Sequence, residues 1–421
     1  MKNFLQTLKI LLSFFFSFSI SLTIPFKSFS NPSENFLSSN FYTNIYSPFQ
    51  IGSQQQNLPC SIILQRSDFY ANSENFNANQ SKSYVQISNE NKYNYKFISS
   101  KDDFYLNSKT IAKQINFDYL IEITTSNFNA KECQIGFQLE NSNENKNIFI
   151  KILKEKKIIK NYVFFIKFNN FYEGNFYIGN FPHEKLNFDI ENFRSTKVLN
   201  ENNFLYWGIQ FENIQMNNEK IIDSNKIFFS FEFGLIIATK MSEKIISKNL
   251  FNLKNCFLEE FSINEEFFGE CKYNSYYCDL NTNIKNFPDL EFFNKEINFT
   301  FKLNYEDLFV KKNDRFQFLI IFEQYEKNNR WKIGKIFFQK FLMIFDYDKK
   351  QIGFYIKNGK NNKNNNFFIF FIKILFVCFC FIFIFGVFYY FFIKKKHRKI
   401  QANELEENYE YKTKNYSKLI N

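Results

Sequence analysis

Few side chains in this sequence are suited to chemistry, and their spacing limits what that chemistry can be. The chain holds two histidines, His183 and His397. A serine nucleophile activated by histidine would need His183. That residue falls in EGNFYIGNFPHEKL (173–186), a stretch that predicts a solvated hairpin turn. No C-x-x-C pair occurs beside a histidine cluster, so no metal site is expected. The glycine spacings of phosphate loops and dinucleotide folds are missing too, and no cofactor is expected. Carboxylates remain. A pair of acids sharing one proton can act as base and acid in hydrolysis. Asp68 and Asp223 each lie close to a short apolar run, but nothing in their spacing sets either one opposite a second acid.

The two ends say where such chemistry would take place. Lys2 and Lys9 precede an apolar run, Ile10–Phe26, which is followed by the serine-rich KSFS. This pattern predicts a secretory signal peptide over residues 1–30, cut near Ser28–Ser30; an uncleaved anchor is the rival reading. Ile374–Ile393 carries no charge over a length that matches a bilayer core, and KKKHRK (394–399) follows at once. A transmembrane helix over 367–393 and a cytoplasmic tail over 394–421 are therefore expected. The protein would be a single-pass type I membrane protein, its ectodomain lumenal or extracellular. Residues 358–366 are too polar to bury surface and predict a stalk. Tyr416-Ser417-Lys418-Leu419 fits a Tyr-x-x-bulky sorting signal, a pattern that also arises by chance.

The formal charge of +11 is concentrated at these ends. The remainder is spread without a long basic run, which reads as a solvated surface and not as a nucleic-acid site. Of seven cysteines, Cys378 and Cys380 fall in the apolar span. Cys60, Cys133, Cys256, Cys271 and Cys278 would face an oxidising lumen, where pairing is the default. One pair is expected among the last three, and five leaves one over. Asn79 and Asn298 head Asn-x-Ser/Thr sequons and are expected glycosylation sites. From Asn40 onward, short apolar runs alternate with Asn, Ser and Lys, the pattern of an all-β domain.

Several stretches resemble pepsin-like aspartic proteases, and together they cover about residues 40–357. IGSQQQNLPCSIILQRSDFYA (51–71) is similar to the family's first active-site stretch, and NFNANQSKSYV (75–85) to the segment after it. ECQIGF (132–137) resembles the Asp-Gly-Ile-Leu-Gly-Leu strand, and 151–186 a helix, strand and hairpin. Tyr206-Trp207-Gly208-Ile209 is similar to the start of the second half. Tyr276–Cys278, Phe287–Phe292 and above all WKIGKIFFQKFLMIFDYDKKQIGFYI (331–356) continue the likeness, with Lys335 replacing an acid of the family.

The resemblance implies an all-β, two-lobed double barrel with a few short helices, its lobes spanning 31–190 and 191–357. It implies a peptide-binding cleft between lobes, a flap hairpin near Lys92–Lys109 with Tyr95 as its tyrosine, and a possible Cys60–Cys133 disulfide. It also implies where the acids should stand. Those positions hold Ile63 and Ser230, with Gln65 and Glu232 in place of the following glycines. A second register for the C-terminal half would use Asp223. The sequence thus points to an inactive homologue that binds peptide or protein in its cleft. The alternatives are a divergent active endopeptidase, or a structural surface protein with Leu64 and Phe231 filling the cleft.

Overall fold

The computed structural model describes residues 22–29, 37, 44–64, 69–72, 76–92, 95–106, 109–123, 133–139, 149–170, 172–221, 225–265, 269–324 and 330–356, with scattered positions beyond. Residues up to Ile356 form one compact unit and Lys357–Asn421 a second.

The first lobe is built from strands whose alternate residues turn to one core. In order they are β1 (Leu22–Phe29), β2 (Asn44–Ile51), β3 (Gln56–Ile63), β4 (Phe69–Asn72), β5 (Val85–Lys92), β6 (Tyr95–Leu106), β7 (Lys109–Ile123) and β8 (Cys133–Gly136). A short helix, α1 (Phe149–Glu155), buries Phe149, Ile150, Ile152 and Leu153, and β9 (Val163–Phe168) and β10 (Glu173–Ile178) follow. Gly52 (φ +83°) closes the turn from β2 to β3, and the Gln55 amide donates to its carbonyl at 2.8 Å. A left-handed φ of this kind favours glycine.

The crossing to the second lobe runs through α2 (Pro182–Lys185), β11 (Phe193–Lys197), β12 (Leu199–Glu201) and β13 (Phe204–Tyr206). The second lobe holds β14 (Gly208–Gln210), β15 (Asn213–Met216), β16 (Glu219–Lys220), β17 (Lys226–Phe229) and β18 (Ile236–Thr239), then α3 (Lys240–Asn252). Thr239 caps α3 by accepting from the Ser242 amide, as an N-terminal Thr does for otherwise unpaired donors. Next come β19 (Cys256–Glu265), β20 (Gly269–Asp279), β21 (Leu290–Asn294) and β22 (Phe299–Leu303), then α4 (Tyr305–Leu308). The lobe closes with β23 (Phe309–Lys312), β24 (Arg315–Phe318), β25 (Ile320–Glu323), β26 (Trp331–Ile333) and α5 (Lys335–Lys340). Finally β27 (Met343–Asp346) and β28 (Gln351–Tyr355) return to the first lobe.

The sheet order β11-β28-β27-β9-β10-β1-β2-β3-β8-β4-β7-β6-β5 joins the lobes, because β27, which follows the second lobe, pairs with β9 of the first. A nine-stranded sheet that contains β14, β17, β26, β18 and β25 forms the body of the second lobe. One apolar cluster runs through both lobes. It is unusually aromatic: Phe164 stacks on Phe345 at 4.9 Å, and Trp207 meets the same ring edge-on at 5.1 Å. Among the described residues this is the all-β, two-lobed architecture expected, with a few short helices.

The structure also revises some expectations. The range expected for the flap, Lys92–Lys109, takes in the last residue of β5, all of β6 and the first residue of β7, and β5 and β6 form one hairpin. Tyr95 is the first residue of its second arm, paired with Lys92. Gly174 lies inside β10 and not in a turn; a Cβ there would come within 2.4 Å of the Phe26 ring, so close packing demands the glycine. His183 is half-buried and not solvated, its Nδ1 lying 2.6 Å from the Tyr355 hydroxyl, and burial pushes that phenol up to about 12. The cut expected near Ser28–Ser30 falls at the end of β1, a strand paired on both sides.

Candidate functional site

The two halves repeat one local construction. In the first lobe, β3 runs parallel to β8, and its last residue, Ile63, pairs with Gly136. Six residues on, Phe69 of β4 pairs antiparallel with Ile135. In the second lobe, β17 runs parallel to β26 with Phe229 opposite Ile333. The Ser230 amide donates to the Ile333 carbonyl at 3.0 Å, which sets Ser230 against Gly334. Six residues after Ser230, Ile236 of β18 pairs antiparallel with Ile333. The register therefore makes Ile63 and Ser230 equivalent by position. Gly334 is required by close packing, since a Cβ there would come within 1.9 Å of the Phe233 carbonyl oxygen.

Hydrogen bonds tie the two positions together. The Ile63 carbonyl accepts from the Phe137 amide at 2.9 Å, and the Phe137 carbonyl accepts from Trp207 Nε1 at 2.6 Å. The Trp207 carbonyl accepts from the Phe229 amide at 2.9 Å, one residue before Ser230. Trp207 is fully buried, so its ring N–H needs this partner.

Neither side chain at the two positions is an acid. Ile63 is buried and offers no polar atom. Ser230 is buried too, and its hydroxyl donates to Glu232 Oε2 at 3.1 Å while accepting from the Glu232 amide at 3.2 Å. A loop closed on itself in this way leaves the hydroxyl committed, and the nearest histidine in the sequence, His183, is bonded to Tyr355 instead. Leu64 and Phe231, the cleft fillers of the structural alternative, are both fully buried. The Phe231 ring packs on Phe338 at 4.9 Å, Phe345 at 5.8 Å and Phe176 at 6.0 Å, so it fills the space beneath the interlobe sheet.

Asp68 and Asp223 lie outside the described residues. The strand that leads into Ser230 runs Lys226–Phe229, so Asp223 precedes that strand and does not follow it. Among the described residues no group of His, Cys, Asp and Glu could hold a metal ion.

The cysteines divide as the register dictates. Cys60 faces Cys133 across the parallel pair β3–β8, with Cα atoms 4.3 Å apart, and the two form a disulfide. Cys256 and Cys278 face each other across β19–β20 and form the second. Cys271 sits buried outside both bridges. Asn79 and Asn298 are exposed, the former in a short 3-10 turn and the latter at φ +49° between β21 and β22.

Sequence reasoning missed the setting of Lys335. It opens α5 directly after Gly334, is 2% exposed, and lies 3.2 Å from Ser28 Oγ on β1, over the rings of Tyr172 and Phe168. Burial pushes its amine down to about 7. The replacement of an acid was visible in the sequence; the strand it meets was not.

The sequence matches a known protein family. A family model described as Eukaryotic aspartyl protease covers residues 51–356, from the last residue of β2 to the residue after β28. No curated protein matches the sequence.

Proposed function

This chain belongs to the eukaryotic aspartyl protease family, and from that premise we propose that it is a pseudoprotease. It keeps the two-lobed frame and binds a peptide or protein segment between its lobes without cleaving it. The observation that carries this reading is the matched register of Ile63 and Ser230. The reaction needs two carboxylates facing one water, each setting the other's protonation. An isoleucine can neither hold that water nor accept its proton. A serine bonded to its own loop supplies no base at acid pH. One acid recruited from elsewhere would still lack its partner.

We propose further that the ectodomain is held at a membrane by Ile374–Ile393 and faces the lumen or cell exterior. Supporting this are the uncharged length of that stretch and the basic cluster directly after it.

The test is a peptidase assay on the purified ectodomain from pH 3 to 6, with Asp223→Ala and Asp68→Ala variants alongside. No turnover above a heat-treated control is expected, while a peptide library should still show saturable binding. Turnover that disappears in either variant would establish a divergent active enzyme instead. Absence of both turnover and binding would favour a purely structural role.

A further inference from the structure

The amino-terminal strand fixes where the leader has to be removed. Strand β1 lies inside the long sheet, between β10 and β2. Leu22 to Lys27 pair residue by residue with Ile178 to Glu173, and Lys27 to Phe29 pair with Tyr46 to Asn44. Ile24, Phe26 and Ser28 alternate into the core at 1%, 2% and 3% exposure. Three features of distant chain are shaped to this strand: Gly174 leaves room for the Phe26 ring, Lys335 reaches Ser28, and the Ser28 amide donates to the Tyr172 carbonyl at 2.6 Å. A cut near Ser28–Ser30 would strip out an interior strand. It would expose unpaired edges on β10 and β2, a state folded proteins avoid.

The sequence upstream supplies what an earlier cut requires. Lys2 and Lys9 form the basic region, and Ile10–Phe18 is an apolar stretch of the length a leader needs. Ser19-Ile20-Ser21 then gives small residues at the first and third positions before Leu22. We infer that the leader is cleaved between Ser21 and Leu22, and that Leu22–Phe29 stays in the mature protein as its first strand. In that step a membrane-bound endopeptidase hydrolyses the Ser21–Leu22 peptide bond. Water supplies the hydroxyl of the new Ser21 carboxyl group and a proton to the new Leu22 amine, with no other co-reactant.

The test is N-terminal sequencing of the full chain produced in a eukaryotic secretory host and extracted in detergent. The expected sequence is Leu-Thr-Ile-Pro-Phe. A protein beginning at Asn31, anywhere within β1, or at Met1 would overturn the inference. Ser21→Leu places a large residue at the cut and should abolish the Leu22 terminus, whereas Ser30→Leu should leave it unchanged. The reverse pattern in these two variants would overturn the inference as well. Processing is read directly, so the outcome does not depend on whether a variant folds.

Discussion

At the scale of single residues, Lys335 shows how a charge can be carried into a core at a cost. Its amine is buried at the foot of α5 and held down to about 7, against 10.5 for a free lysine. The unfolded chain therefore binds more protons than the folded one between those values. Stability should rise with pH from about 7 to 10.5, and below 7 the whole penalty is felt. Lys335→Met keeps the length and removes the charge. It is expected to raise stability by roughly 2–4 kcal/mol at pH 7, allowing for the lost bond to Ser28 and scaled from the pKa shift. The gain should shrink toward pH 10, as measured by urea denaturation across pH. A gain that is flat with pH would show that the amine titrates in the folded chain as it does in the unfolded one, and so is not depressed by burial. Gly334, one residue before, is constrained differently. Gly334→Ala would drive a Cβ into the Phe233 carbonyl and displace the loop that carries Ser230. A loss on the order of 3 kcal/mol or more is expected, a size typical of backbone strain in a packed site, and a thermal melt would reveal it.

At the scale of elements, the two disulfides brace different things. Cys60–Cys133 closes a separation of 73 residues and ties β3 to β8 beside Ile63. Cys256–Cys278 closes only 22 and staples one hairpin. Loop-closure entropy makes the first worth about 1 kcal/mol more than the second, with each worth roughly 3–4 kcal/mol. The paired Cys→Ala variants should rank in that order by denaturant midpoint. The reverse order would mean that the unfolded chain keeps β3 near β8.

Elements also show what the sequence made legible. The register of β3 could be followed because Ile51-Gly52 and the alternating run after it leave one in-frame path to Ile63. The turn between β15 and β16 is made by Asn217 and Asn218 at left-handed φ values of +52° and +63°, which asparagine tolerates. Strand β1 was not legible. An apolar stretch after two lysines reads as a leader, and an interior strand has the same composition. Only its partner strand β10, far along the chain, tells the two apart. The half-burial of His183 was hidden for a related reason, since Tyr355 is 172 residues away in sequence. The TM expectation at 367–393 falls almost entirely outside the described residues. Among the described residues no helix is long and apolar enough to cross a membrane. Helical positions recur from Gly386 to Lys394, with Tyr389, Tyr390 and Phe391 exposed.

At the scale of the whole molecule, the proposed anchoring and the proposed inactivity can be separated. The full chain should stay with the membrane pellet after alkaline carbonate extraction, while a chain ending at Ile356 should be released into the supernatant. Release of the full chain would remove the anchor but leave the pseudoprotease reading untouched. The aromatic seam between lobes makes a different prediction. Trp207, Phe164 and Phe345 belong to one cluster fed by both lobes. Unfolding followed by tryptophan fluorescence and by far-ultraviolet circular dichroism should therefore give coincident transitions. Two separated transitions would show lobes that fold independently.

The placement of β1 also bears on the order of events during synthesis. Its pairing partner β10 emerges roughly 150 residues later, which at ribosomal speed is a delay of about ten to thirty seconds. For that interval Ile24 and Phe26 lack the strand they pair with, and their apolar side chains stay open to a chaperone. Slowing translation between the two strands should lengthen chaperone association without altering the finished protein.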